Sequence, residues 1–142
     1  MEVGPPTPML DDLSRPYWDG ARNGKLVVQR CAACGRFINW PRPACRFCLS
    51  DVLTFEEMSG RGTLYSYTIT RQAFHPWFVD RVPYVVATIE LEEQKGLMLV
   101  ANLVECDDTG IRVGMPVEVV FVDVGPELTL PSFRPVAAGG VK

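Results

Sequence analysis

From Gly60 to Pro135 the chain alternates short apolar runs with turn residues. "GTLYSYTITR" (62–71), "YVVATIELE" (84–92), "GLMLVANLV" (96–104), "MPVEVVFVDV" (115–124) and "LTLPSFRP" (128–135) read as five β-strands. Their boundaries carry turn chemistry: Gly60 and Gly62, Lys95-Gly96, Asp108 to Gly110, and Gly125-Pro126. In the first run Tyr65, Tyr67 and Ile69 fall on one face. In the second, Val85, Ala87, Ile89 and Leu91 do so. Five strands of this length close naturally into a small Greek-key barrel of the OB type, with a β-sandwich as the alternative.

The first third of the chain follows a different pattern. Residues 1–13 are Pro-rich and read as extended. "SRPYWDGARNGK" predicts a short helix with Ser14 as its cap, Pro16 in its first turn and Gly24 at its end. Tyr17, Trp18 and Ala21 share one face of that helix. An apolar face on so short a helix either covers the rest of the chain or docks a partner. "KLVVQRC" and "RFINWP" predict strands around the first of two cysteine pairs.

That pair begins "CAACGRFINWPRPACRFC", with Cys31 and Cys34 followed ten residues later by Cys45 and Cys48. Two residues between cysteines let one tight turn aim both sulfurs at a point. Two such knuckles facing each other make a tetrahedral four-sulfur site suited to Zn(II), with iron as the alternative metal. Two disulfides are a rival reading, disfavoured in a reducing compartment. Four cysteine ligands leave no open position, so the metal would be structural. Gly35 follows the first knuckle and can adopt positive φ, whereas Leu49 stands in the equivalent place after the second. Pro41 and Pro43 stiffen the connection. Arg30, Arg36, Arg42 and Arg46 either offset the charge of a metal tetrathiolate or are solvated. Cys106, alone in "LVECDD", reads as a strand-end residue. The expected organisation is an N-terminal extension and helix (1–24), a zinc ribbon (25–58) and a barrel domain (59–142), mainly β throughout.

Composition narrows the function. The chain has 142 residues, 47% of them hydrophobic, and a formal net charge of -3, which argues against a polyanion partner. No apolar run approaches the roughly 20 residues of a membrane span, and "MEVGPPTPMLDD" lacks the features of a secretory signal, so a cytoplasmic protein is expected. With one histidine, His75, no histidine pair can build a catalytic metal site. Phosphate-binding, dinucleotide and nucleophile-elbow motifs are missing too. No catalytic residue is expected. One segment stands out: "RQAFHPWFVDRVPY" (71–84) carries Phe74, His75, Trp77 and Phe78 between Arg71 and Arg81. It reads as a lid on the barrel, as a protein or acyl-ligand interface, or as a stacking surface for single-stranded nucleic acid.

The order of these parts resembles the DUF35 family, over about residues 14–135. The motifs are "PYWDGARNGKLVVQRC", the four-cysteine ribbon, "SGRGTLYSYTI", "HPWF…VPYVVATIEL", "VGMPVEVVF" and "LPSFRP". Leu49 in place of a glycine is the one departure. The resemblance implies a rubredoxin-like zinc ribbon joined to an acyl-CoA-associated OB-fold, acting as a non-catalytic partner. Members accompany thiolase-like enzymes or MaoC-like hydratases that act on CoA thioesters, including steroid side-chain retro-aldolases. On that reading Tyr17, Trp18, Phe74, His75, Trp77 and Phe78 would bind the partner, and Arg71 and Arg81 would contact an acyl-CoA phosphate. No organic cofactor is implied beyond a shared CoA thioester. A single-stranded nucleic-acid module is the alternative function.

Overall fold

A computed structural model describes residues 4–136. It contains one helix, α1 (Arg15–Arg22), and eight strands, β1 (Val27–Cys31), β2 (Phe37–Ile38), β3 (Leu53–Glu57), β4 (Arg61–Thr70), β5 (Tyr84–Leu91), β6 (Met98–Leu103), β7 (Pro116–Gly125) and β8 (Leu128–Pro135). The first three strands form a small sheet in the order β2-β1-β3. The last five close into a barrel in the order β4-β5-β6-β8-β7. This is the expected OB-type architecture. Among the described residues no helix is long and apolar enough to cross a membrane.

The helix starts differently from the expectation. Asp11 Oδ1 accepts the Ser14 N–H at 2.7 Å, and Ser14 Oγ accepts the Asp11 N–H at 3.2 Å. Arg15 N–H already donates to Asp11 O at 2.9 Å. Asp11 therefore caps, and Ser14 is its reciprocal partner one turn on, as in a capping box. Ser14 holds the N-cap position in αR conformation, and its side chain makes no capping bond to α1.

β3 went unrecognised in the sequence. Only Leu53 and Phe55 mark its inner face, and its pairing comes from β1, from Val27↔Glu57 to Cys31↔Leu53. The face expected for β4 is also altered. The register of β4 on β5 shifts between Leu64 and Ser66, so Leu64 opposes Ile89 while Tyr67 and Ile69 oppose Ala87 and Val85. Tyr65 is the extra residue of this bulge and is exposed. β5 keeps its strict alternation, burying Val85, Ala87, Ile89 and Leu91.

The barrel closes through Gly62, where a Cβ would lie 2.6 Å from Glu90 O and 2.8 Å from Ile89 Cγ2. Only a glycine lets β4 approach β5 that closely. The opposite seam is looser. β6 and β8 run parallel and pair only at Leu103↔Phe133. Helix α1 packs against β8 and β1, and Tyr17 joins the core of Leu64, Ile89, Val117 and Phe133. Leu26, Val28 and Met58, from the ribbon's side, belong to the same core. The ribbon keeps a second, smaller core of Cys31, Ile38 and Cys45, with Leu53 against it. Buried Gln29 ties its linker down: Nε2 donates to Arg42 O and Oε1 accepts the Arg42 N–H, both at 2.9 Å.

Candidate metal centre and interaction surface

The two knuckles have the same backbone plan. In the first, Cys31 N–H donates to Arg36 O and Gly35 N–H to Cys31 O, both at 2.9 Å. In the second, Cys45 N–H donates to Ser50 O and Leu49 N–H to Cys45 O, both at 2.8 Å. The fourth residue after the leading cysteine is left-handed in both, with φ 80° at Gly35 and φ 69° at Leu49. That conformation costs a non-glycine residue roughly 1–2 kcal/mol. The second knuckle is thus the same turn made with a less suitable residue.

All four sulfurs lie within 4.8 Å of one another. Cys31 Sγ is 3.6 Å from Cys48 Sγ, and Cys34 Sγ is 3.7 Å from Cys45 Sγ. A disulfide needs about 2.0 Å, so the rival disulfide reading does not hold. Zinc–sulfur bonds of about 2.3 Å in a tetrahedron place sulfurs about 3.8 Å apart, close to what these pairs present. Cys31 and Cys45 are buried, whereas Cys34 and Cys48 face outward. Backbone N–H groups of Cys34 and Phe47 point at Cys31 Sγ (3.4 Å) and Cys45 Sγ (3.3 Å). The Cys34 N–H is the main reason the Cys31 thiol is lowered to about 6. Among the described residues no histidine or carboxylate joins the cluster. The donor set therefore fits a closed structural metal site.

The surrounding arginines are individually placed. Arg30 pairs with Glu56 at 3.1 Å and lies 4.7 Å from the centre of the Phe37 ring. Arg36 and Arg46 each hold their guanidinium 4.7 Å from the centre of Phe47, inside the second knuckle. Arg42 contributes its backbone to Gln29.

The aromatic segment between β4 and β5 is an ordered cap. His75 Nδ1 accepts the Trp77 N–H at 3.1 Å, starting one 3-10 turn over Pro76–Phe78. Trp77 meets Phe78 edge-on at 5.0 Å, and Phe78 stacks on Tyr84 at 5.0 Å. Arg81 lies 3.7 Å over the Trp77 ring, and its Nη1 donates to Trp77 O at 2.6 Å. Trp77, Phe78, Arg81 and Tyr84 wall a cavity of about 500 Å³ at the barrel end, with Val122 and Leu130 behind. Phe74 turns the other way and is 79% exposed, as is most of Val79.

The expected site residues thus divide. The four cysteines converge. Phe74 is presented outward, while His75, Trp77 and Phe78 are half-buried in the cap. Tyr17 is 5% exposed and packs in the chain's own core. Trp18 remains half-buried beside it, edge-on at 4.9 Å. Arg71 lies 3.6 Å from Asp108 in an exposed pair, and Arg81 donates to Trp77 O and lies over the Trp77 ring. Sequence reasoning passed over Trp40, which lies 5.1 Å from Tyr17 and is 45% exposed beside Val100. An aromatic residue followed by a proline between two metal knuckles was the available signal. It also passed over Pro5 and Pro6, which run along the cavity's rim.

A helix, a four-cysteine ribbon and a closed five-stranded barrel in this order define a zinc-ribbon/OB-fold protein. Residues 18–54 match the ChsH2 rubredoxin-like zinc ribbon domain and residues 55–122 the ChsH2 C-terminal OB-fold domain. The chain belongs to the DUF35 family, in its ChsH2 form. It is 41% identical over 130 residues to a protein of Thermomonospora curvata named "Probable enoyl-CoA hydratase alpha subunit", covering 92% of this chain and 40% of that protein. It is 31% identical over 146 residues to the 3-oxo-4,17-pregnadiene-20-carboxyl-CoA hydratase alpha subunit of Mycobacterium tuberculosis, covering 94% and 45%. The chain therefore spans less than half the length of these two relatives. Among solved structures, a chain of the Ltp2-ChsH2 (DUF35) aldolase superposes with a TM-score of 0.84 at 39% identity, covering 92% of this chain and 100% of that one.

Proposed function

We propose that this protein is a non-catalytic accessory subunit of an acyl-CoA-processing complex. It binds a thiolase-like enzyme of the steroid side-chain retro-aldolase type and helps form or shield that enzyme's acyl-CoA site. A MaoC-like hydratase is the second partner class, supported by the hydratase alpha subunits among its relatives. The relative that this chain matches along its whole length is part of an aldolase assembly, and the steroid assignment draws on the pregnadiene-CoA name of one relative.

The observation that carries the reading is Phe74. Three internal contacts order the cap around it: His75 to Trp77, Arg81 over Trp77, and Phe78 on Tyr84. Yet Phe74 stays 79% exposed. With Val79 also 62% exposed on the same loop, Phe74 forms part of an apolar surface that supports a protein contact. Catalysis on this reading belongs to the partner. In the described residues the clustered thiols are consumed by the metal site, and His75 Nδ1 is occupied in capping.

The metal is proposed to be zinc. It would be held by Cys31, Cys34, Cys45 and Cys48, and would contribute fold stability while leaving substrate activation to the partner. A reducing, cytoplasmic compartment belongs to the same proposal, because it keeps the four sulfurs available as thiolates. The test is co-expression with a thiolase-like aldolase. A stable hetero-oligomer with activity that neither chain has alone is expected. Turnover of a CoA thioester by this chain by itself overturns the accessory role.

A further inference from the structure

Between residues 25 and 50 the chain carries Lys25, Arg30, Arg36, Arg42 and Arg46 and not one carboxylate, although the whole chain is acidic. Over the whole ribbon, Asp51, Glu56, Glu57 and the roughly two negative charges of a zinc tetrathiolate balance these five cations, so any positive excess is local to the 25–50 stretch. Of these five, Arg30 alone has a carboxylate partner among the described residues.

One of these cations, Arg46, meets Lys95 of the barrel across a small cleft. A cleft of about 110 Å³ separates the second knuckle from the turn joining β5 to β6. Arg46 and Phe47 line it on one side, and Lys95, Gly96 and Leu97 on the other. No carboxylate lines it. Glu90 reaches the same turn, but its Oε2 is held by the Gly96 N–H at 2.7 Å. Asn39 and Gln94 also border the cleft; the Gln94 amide is engaged with the Phe37 backbone, and Asn39 Nδ2 donates to Met98 O. Arg46 and Lys95 are the two cations of its lining, and the Arg36 and Arg46 guanidiniums lie against the Phe47 ring.

We propose that this cleft binds the phosphorylated, nucleotide end of a CoA thioester. At about 30 Å³ per water, the cleft holds roughly three to four waters, room for a phosphate group and not for a base. Arg46 and Lys95 would hold the phosphate, and the purine would stack on the guanidinium planes around Phe47. The choice of CoA rests on the acyl-CoA reading above; the cationic cleft itself does not. It replaces Arg71 and Arg81, which are engaged within the chain, as the phosphate contact.

The test uses the metal-loaded full chain without any partner, titrated calorimetrically at low salt. The probes are adenosine 3′,5′-bisphosphate, pantetheine and a single-stranded oligonucleotide series. The bisphosphate is expected to bind and pantetheine not to. Lys95→Glu, across the cleft from the knuckle and on the barrel's own turn, is expected to weaken binding at least about tenfold, consistent with loss of a charge-assisted contact. Arg46→Glu should match it with metal content unchanged, and Arg71→Glu should leave affinity unaltered. Absence of bisphosphate binding, or binding indifferent to Lys95→Glu, overturns the site. So does oligonucleotide binding that exceeds the bisphosphate's and tightens with length, which would make the patch a nucleic-acid surface. Because no partner is present, failure here is separable from failure to form a complex.

Discussion

Gln94 joins the ribbon to the barrel by acting as a strand neighbour of Phe37. Its Oε1 accepts the Phe37 N–H at 2.8 Å, and its Nε2 donates to Phe37 O at 3.0 Å. The carboxamide thus pairs the outer edge of β2 as another backbone would. Close by, Asn39 Nδ2 donates to Met98 O at 2.8 Å. These bonds join the ribbon to the barrel alongside the core that Leu26, Val28 and Met58 share with it.

Replacing Gln94 by alanine is therefore expected to cost about 1–3 kcal/mol, because two half-buried backbone groups of Phe37 lose their partner. Urea unfolding measures that cost. If the bond orients the modules, association with the partner should fall further than the loss of stability explains. A stability change without any change in association would confine Gln94 to folding.

The two left-handed knuckle positions give opposite expectations. Leu49→Gly should stabilise the metal-loaded protein by about 1 kcal/mol, since glycine adopts φ 69° without the side-chain penalty. The leucine side chain is mostly exposed and contributes little packing. Gly35→Ala should destabilise by a similar amount at φ 80°. Thermal unfolding with metal held constant checks both.

Metal analysis of freshly purified protein is expected to give one zinc per chain, and Cys45→Ser to lose it. Each ligand must be a thiolate, so loading releases protons and affinity rises with pH. Acidification works the other way: protons compete for the sulfurs, and metal leaves as pH falls. A chelator competition series across pH should show affinity falling steadily towards the acid side. A pH-independent affinity would be incompatible with four thiolate ligands.

Phe74→Ser should separate binding from stability. The ring is exposed, so unfolding free energy should change by less than about 0.5 kcal/mol. Affinity for the thiolase-like partner should drop by at least tenfold, about 1.4 kcal/mol. Trp77→Ala should instead lower stability, because Trp77 carries the Arg81 and Phe78 contacts of the cap.

The sequence by itself determined the metal ligands, the five barrel strands and the order of the parts. Each of these is written in local spacing: two residues between paired cysteines, alternation along β5, turn residues between strands. It also placed Gly35 and Leu49 in equivalent positions. Only the tertiary structure decided the remainder. Tyr17 and Trp18 lie on one helical face, but contact with the barrel and ribbon core buries the first and leaves the second half-exposed. Tyr65 and Tyr67 look alike in the alternating pattern until a bulge against β5 puts them out of phase. Arg71 and Arg81 are unpaired on paper until folding brings Asp108 and Trp77 to them. The Gln94 joint and the Arg46–Lys95 cleft each bring together residues about fifty positions apart. Local periodicity specifies which face a residue takes. What covers that face is set by chain segments distant in sequence, and so becomes visible only in the folded protein.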